Sequence, residues 1–133
     1  MSAQIRKVME KRQRGEGGFT LIELLVVVVI IGILAAIAIP AFLRQREKAW
    51  ASQVTSDLKN AATAAEAYSV DHNGAYTDLT VAELKLNGYN PTDGVDVSVT
   101  PSVDGTSYTL VGKHANVSGT WTYDSTAGVI EKS

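Results

Sequence analysis

A carboxylate, Glu23, interrupts an otherwise apolar stretch near the start of the chain. It lies five residues after Gly18, in the segment Gly-Phe-Thr-Leu-Ile-Glu-Leu-Leu at positions 18–25. An ionised carboxylate is costly in hydrocarbon, so a charged residue at such a position usually has a named partner or a function. The chemistry that Glu23 offers is therefore pairing with a cation.

The stretch that contains Glu23 is long and apolar enough to cross a membrane. Residues 19–43 contain only Thr20 and Glu23 as strongly polar side chains. As an α-helix the stretch would be roughly 37 Å long, which is enough for a hydrocarbon core of about 30 Å. The small residues Gly17 and Gly18 precede the apolar stretch, whereas a secretory signal has its cleavage site after the apolar region. This order predicts a retained membrane helix.

The basic residues are concentrated before the apolar stretch. Residues 1–18 contain five basic and two acidic side chains, although the whole chain has a net charge of −2. This bias predicts that the N-terminus lies in the cytoplasm and the C-terminal part outside it. Acidic residues outnumber basic ones after Gly18, which argues against nucleic-acid binding. The chain has no cysteine, so neither disulfides nor thiolate metal sites can form.

Beyond residue 43, apolar residues recur every three or four positions, which is the period of an amphipathic helix. The frequent alanines favour helix, and no Pro or Gly interrupts the pattern before Gly74. We therefore predict an amphipathic helix over residues 44–72. Its apolar stripe consists of Trp50, Val54, Leu58, Ala61, Ala65 and Tyr68.

The last part of the chain changes from helical to strand periodicity. Residues 73–94 are predicted to form a loop with a short helix, which begins at a capping box of Thr80 and Glu83. Residues 95–132 alternate apolar and polar side chains in three or four short strands. The predicted fold class is α+β, with a long N-terminal helix packed on a small antiparallel sheet. The sheet would contribute to the core Tyr108, Leu110, Trp121 and Tyr123.

The remaining polar residues form no pattern typical of catalysis. His72 and His114 stand in polar surroundings without a second ligand at regular spacing, so both are predicted to be surface residues. Asp93, Asp96 and Asp104 lack an ordered calcium-loop signature and are interpreted as solvated turn residues. No catalytic or phosphate-binding arrangement is present. We therefore expect no enzymatic activity, no cofactor and no metal.

The segment 18–25, the basic residues before it and Pro40 after it resemble the N-terminus of a type IV prepilin. The resemblance covers roughly residues 1–43. It implies that residues 1–18 are a leader peptide, which a prepilin peptidase and N-methyltransferase cleaves between Gly18 and Phe19 before methylating the new amine. It also implies a pilus assembly platform, the lipid bilayer and other copies of the chain as partners.

Cleavage would create a cation for Glu23. An α-amine has a reference pKa of about 8, so the new Phe19 amine would be protonated near neutral pH, and methylation keeps the charge. Our hypothesis is that Glu23 pairs with the Phe19 amine of a neighbouring subunit and sets the assembly register. The alternative role is a carboxylate favoured by the helix dipole. Gly32 and Pro40 mark the segment expected to bend or lose helicity on assembly.

Three interpretations of function remain open from the sequence. The first is the subunit of a type IV pilus, which spans the cytoplasmic membrane once before assembly and then lies in a cell-surface filament, with residues 44–133 as its soluble domain. The second is the major pseudopilin of a type II secretion or competence system. The third is a monomeric, membrane-tethered binding module whose leader is never cleaved.

Overall fold

A computed structural model of the protein describes residues 20–133, which form two helices and one four-stranded sheet. The fold is α+β, as predicted, with one long N-terminal helix and a small antiparallel sheet. The chain divides into two compact units, up to Arg44 and from Gln45 to Ser133, and the second is called the head below. The elements are α1 Leu21–Val70, α2 Val81–Leu86, β1 Val95–Pro101, β2 Tyr108–His114, β3 Val117–Asp124 and β4 Val129–Lys132.

In the first unit, the described residues after Thr20 belong to α1, and most of them expose apolar side chains. The helix continues through Gly32 and contains Pro40 within its length. Proline lacks the amide hydrogen that an interior helical position donates, so Pro40 removes one hydrogen bond from the helix. A loss of helicity at this segment on assembly stays a prediction, because it concerns the assembled state.

In the head, α1 packs on one face of the sheet and forms a small core. Among the side chains predicted to line this core, Trp50 and Tyr123 are half-buried. The others are buried, namely Val54, Leu58, Ala61, Ala65, Tyr68, Tyr108, Leu110 and Trp121. Burial of such apolar surface is the main term that stabilises a domain without disulfides.

Close contact between α1 and the sheet depends on a glycine in β2. A Cβ atom added at Gly112 would lie 2.8 Å from Cγ1 of Val54 and 3.1 Å from Cδ2 of Leu58. Real side chains do not approach so closely, so any larger residue at this position would push the helix away from the strand. Gly112 therefore allows two helix residues to lie directly against the backbone of β2.

The sheet is a meander in the order β1-β2-β3-β4, with each neighbouring pair antiparallel. Leu110 of β2 pairs with Val99 of β1 and Tyr123 of β3, which places it in the centre of the sheet. In the turn after β1, the carboxylate of Asp104 accepts hydrogen bonds from the Ser102 hydroxyl and from Thr106. These bonds hold the pKa of Asp104 below its ordinary value.

The loop between α1 and β1 contains the predicted short helix. The Thr80 hydroxyl accepts a hydrogen bond from the Glu83 amide at 3.3 Å, which confirms the predicted capping of α2. The helix ends at Leu86, with Asn87 as its C-terminal cap. Asp93 and Asp96 are exposed, in the loop and in β1 respectively.

The prediction that both histidines lie at the surface is wrong for His114, which is buried, whereas His72 is exposed. The Asn116 amide donates to Nδ1 of His114 at 3.0 Å, so Nε2 carries the proton and donates to Oε1 of Gln53 at 2.9 Å. The error has a physical reason. His114 ends β2 on the strand face that packs against α1, and one of its two partners there, Gln53, is 61 residues away in sequence.

The head is expected to unfold in alkali as its tyrosines ionise. Burial raises the pKa of Tyr68, Tyr76, Tyr89 and Tyr108 above the ordinary value near 10. Because these pKa values are higher in the folded state, the protonated phenols contribute stability that is complete below about pH 10 and is lost as the pH rises further.

Tyrosinate absorbance and circular dichroism should therefore change together above pH 10. Tyr108→Phe should remove one ionising group from this joint step. Ionisation of these four tyrosines near pH 10 without loss of the circular dichroism signal would contradict the prediction.

Candidate functional site

Glu23 lies in the first turn of α1 and forms a reciprocal pair of hydrogen bonds with Thr20. The Thr20 hydroxyl accepts from the Glu23 amide at 3.1 Å, and Oε2 of Glu23 accepts from the Thr20 amide at 3.3 Å. The Leu24 amide donates to the Thr20 carbonyl at 3.1 Å, which begins the helical ladder. Thr20 and Glu23 together form a capping box.

The capping box gives Glu23 a local role that our reading of the sequence missed. A threonine followed three residues later by glutamate, directly before an apolar stretch, is the sequence signature of such a box. The carboxylate also lies where the helix dipole favours negative charge, which supports the alternative role considered from the sequence. The box engages one carboxylate oxygen, Oε2, and a carboxylate has two, so Oε1 can still accept from a cation.

The other two residues predicted at this site lie outside the described part of the chain. Gly18 and Phe19 precede residue 20, the first that the structure describes. Cleavage between them, and methylation of the Phe19 amine, therefore stay predictions from the sequence. The structure places Glu23, the third member of the predicted site, in the first helical turn, two residues after the start of α1.

Apolar side chains cover all sides of α1 over residues 24–43. Among the described residues, α1 is long and apolar enough to cross a membrane. Its most apolar segment contains no buried residue. A helix that is apolar all round requires lipid or other helices as its surroundings. The large exposed side chains include Leu25, Val26, Val27, Val28, Val29, Ile30, Ile31, Ile33, Leu34 and Ile37.

A buried carboxylate in the head is a second feature that the sequence did not reveal. Asp57 of α1 is only 2% exposed and accepts hydrogen bonds from the Thr92 hydroxyl at 2.7 Å, the Thr92 amide at 2.8 Å and the Tyr89 hydroxyl at 3.3 Å. These bonds join the helix to a loop more than thirty residues later. Asp57 therefore fixes the loop that precedes β1.

Among residues 20–133 no group of three His, Asp or Glu side chains is arranged to hold a metal ion. The buried polar groups serve packing instead. His114 joins β2 to α1, and Asp57 joins α1 to the loop. The feature of the described chain that demands an external partner is thus the apolar helix with its capped carboxylate.

Comparison with known proteins agrees with this picture. Residues 13–39 match the family described as the prokaryotic N-terminal methylation motif. The chain is 38% identical over 102 residues to the type IV wide pilus major component PilA4 of Thermus thermophilus, a match that covers 77% of this chain and 76% of that protein.

Relatives from secretion and competence systems are also similar. Type II secretion system core protein G of Pseudomonas aeruginosa is 44% identical over 68 residues, which cover 51% of this chain and 46% of that protein. Competence protein ComGC of Halalkalibacterium halodurans is 35% identical over 81 residues, or 61% of this chain and 78% of that protein. The chain thus spans about half the length of the type II secretion relatives that it matches.

The motif match covers the segment around the capped carboxylate, and the PilA4 match extends over three quarters of the chain. The structure adds the long apolar helix and the small antiparallel sheet. On these grounds the chain belongs to the type IV pilin and pseudopilin family.

Proposed function

We propose that the chain is the structural subunit of a type IV pilus, cleaved after Gly18 and polymerised through residues 19–43 into a surface filament. The observation that carries the proposal is the part of α1 up to residue 43, which exposes apolar side chains on all sides and has the carboxylate of Glu23 in its first turn. The similarity to a major pilus component over 77% of the chain supports the same assignment.

The apolar helix suits both states that this function requires. Before assembly its side chains contact lipid, and in a filament they would contact the same helix of neighbouring subunits. The exchange replaces one apolar environment by another, so extraction from the bilayer costs little hydrophobic free energy. The span 19–43 would therefore be the membrane anchor first and the filament core later.

Glu23 would provide the register of assembly. Its Oε2 atom holds the Thr20 amide within the subunit, and its second oxygen can accept from the Phe19 amine of a neighbour. In a surrounding of low dielectric constant this charge pair is strong, but desolvation of both groups opposes it. Apolar contacts alone allow many axial positions of the subunit, and the charge pair selects one of them. The pair therefore contributes more to this selection than to the stability of the filament.

The partners follow from the same proposal. Residues 1–18 would be the leader that a prepilin peptidase and N-methyltransferase removes on the cytoplasmic side. The membrane-held subunit would have its N-terminus in the cytoplasm and its soluble domain, 44–133, outside it. An assembly platform in the cytoplasmic membrane would then move it into the filament. The function is structural, with no catalytic step by the chain itself.

Mass spectrometry of fibres sheared from cells tests the proposal directly. The first residue of the recovered protein should be Phe19, with one methyl group on its amine. Gly18→Asp should leave the leader attached and remove the fibres, because it changes the residue before the cut. Recovery of the chain from membranes with residues 1–18 intact, and without fibres, would instead support a monomeric tethered module.

A second candidate function is that of a major pseudopilin, which polymerises only into a short fibre. The similarity to type II secretion core protein G and to ComGC favours it. Electron microscopy separates the two candidates. Long surface fibres that contain this subunit at its natural expression level support the pilus, whereas their absence together with loss of protein secretion or DNA uptake in a deletion strain supports the pseudopilus.

A further inference from the structure

Three tyrosine rings of the head form a continuous series of contacts. The ring centres of Tyr76 and Tyr108 are 4.7 Å apart, and those of Tyr108 and Tyr123 are 6.0 Å apart. Both distances are within the range of direct aromatic contact. Tyr108 is buried, whereas Tyr76 and Tyr123 are half-buried. These three residues are called the tyrosine cluster below.

The hydroxyl of Tyr76 donates to the carboxylate of Glu66. It lies 3.0 Å from each of the two carboxylate oxygens, and Glu66 is exposed to water. Burial and the Glu66 carboxylate raise the pKa of Tyr76 above its ordinary value, so the phenol is protonated at neutral pH. A phenol that loses one electron becomes a very strong acid, so its oxidation requires an acceptor for the proton. Glu66 is such an acceptor within hydrogen-bond reach.

Two tyrosines outside the cluster lack this combination of access and proton acceptor. The buried Tyr68 hydroxyl donates to the Thr77 carbonyl, which is a much weaker base than a carboxylate. The Tyr89 hydroxyl donates to Asp57, but both side chains are buried, so neither an oxidant nor water reaches them readily. Oxidation of the head is therefore favoured at the cluster.

Within the cluster, Tyr76 has the best position to hold the oxidised state. Tyr108 lies 3.4 Å from Oε1 of Glu66, a longer hydrogen bond than that of Tyr76, and it is buried. In the described part of the chain, no carboxylate accepts from the hydroxyl of Tyr123. Electron transfer between contacting rings allows Tyr76 to reduce an oxidised Tyr123 through Tyr108. Oxidation that begins at either end of the cluster thus ends at Tyr76.

We propose that Tyr76 is the site at which the head is oxidised and nitrated. A one-electron oxidant, the carbonate radical, takes an electron from the tyrosine cluster and is reduced to carbonate, while Glu66 takes the phenolic proton of Tyr76. Nitrogen dioxide then adds to the ring carbon next to the oxygen of the Tyr76 radical. This carbon loses its hydrogen as a proton and the oxygen regains one, so a C–N bond replaces a C–H bond. The site does not depend on filament assembly.

Peroxynitrite in bicarbonate buffer tests the site, because its reaction with carbon dioxide produces both radicals. The full chain in detergent is treated with a limiting amount, and peptide mapping by mass spectrometry measures nitration at each of the five tyrosines. Tyr76 should carry about tenfold more nitration than Tyr123, which is a small part of the acceleration that a positioned base gives to proton transfer. Comparable nitration of these two half-buried residues would overturn the site.

Glu66→Gln tests the proton acceptor. The amide oxygen can still accept from the Tyr76 hydroxyl, but it is not a base, so nitration at Tyr76 should fall about fivefold. A merely structural role predicts the opposite, because a released loop would expose Tyr76 and raise its nitration. Glu47→Gln removes an exposed carboxylate from the same helix and should leave the pattern unchanged. Unchanged or higher nitration at Tyr76 in Glu66→Gln, or an equal fall in Glu47→Gln, would overturn the proposal.

Tyr76→Phe tests electron transfer within the cluster. Phenylalanine keeps the ring but removes the oxidisable phenol, so the radical of Tyr123 is no longer reduced and nitration at Tyr123 should at least double. Tyr108→Phe interrupts the same path and should also raise nitration at Tyr123, while Tyr76 is still nitrated. If Tyr108→Phe impairs folding, as circular dichroism would show, Tyr76→Phe alone decides. Unchanged nitration at Tyr123 in a folded variant would overturn the cluster as a single site.

Discussion

Replacing Glu23 by Gln is expected to reduce the number of surface filaments at least tenfold, with the subunit still present in the membrane. The variant removes the negative charge that would pair with the Phe19 amine of a neighbour, so incoming subunits lose the interaction that selects their axial position. The remaining apolar side chains of neighbouring helices can shift along one another at little cost in free energy, because hydrophobic contacts have no preferred direction. Electron microscopy of cells, with immunoblots of membrane fractions, measures the effect.

The choice of glutamine separates the two roles of Glu23. Glutamine at the third position of a helix can complete a capping box as glutamate does, so Glu23→Gln keeps a partner for the Thr20 amide and loses only the charge. If capping were the whole role of this residue, the variant would assemble normally. Glu23→Ala removes both roles, and any additional loss that it shows measures the contribution of the cap.

The chain offers a matched control on the same helix. Glu47 is also an exposed carboxylate of α1, but it lies outside the apolar stretch. Glu47→Gln should leave filament number and length unchanged. Normal filaments in the Glu23→Gln strain, or an equal loss in both strains, would contradict the register role. Mass spectrometry of the Glu23→Gln subunit should still find Phe19 as the first residue, which excludes a failure of cleavage.

The second large effect is expected at the buried carboxylate of the head. Asp57→Ala should lower the free energy of unfolding by about 3 kcal/mol, because it leaves the buried hydroxyl of Tyr89 and two donors of Thr92 without their acceptor. Asp57→Asn should cost less, since an amide oxygen can still accept from Thr92. Thermal unfolding of the full chain in detergent, followed by near-ultraviolet circular dichroism, measures the difference.

A neighbouring aspartate provides the comparison. Asp93 follows Thr92 directly but is exposed, and Asp93→Ala should change the free energy of unfolding by less than about 0.5 kcal/mol. Equal stability of the two alanine variants would show that the buried hydrogen bonds of Asp57 make no net contribution to the free energy of unfolding. Because Asp57 holds the loop before β1, its loss should also make residues 89–92 more accessible to proteases.

Local patterns were sufficient to predict most of the elements. The stripe from Val54 to Tyr68 recurs with the helical period, and the valines of β1 alternate as strand residues do, so both elements can be recognised from near neighbours. The short helix after Thr80 was equally visible, because its cap lies three residues from its partner. The capping box at Thr20 has the same local signature, because Glu23 lies three residues after Thr20.

Features that depend on distant partners could not be predicted in this way. His114 was expected at the surface because its sequence neighbours are polar, but its partner Gln53 lies on α1. Asp57 has its acceptor role only because the loop at Thr92 returns to the helix. Gly112 resembles any strand glycine until the helix is placed against it. In each case the deciding contact crosses more than thirty residues of chain.

The sequence by itself determined the apolar helix, the position of its carboxylate and the family resemblance, since these depend on the order of side chains over a few helical turns. Only the tertiary structure decided which polar groups are buried in the head and which partners they bind there. The physical reason is that burial and hydrogen bonding depend on where the chain folds back on itself, whereas periodicity depends on local backbone geometry.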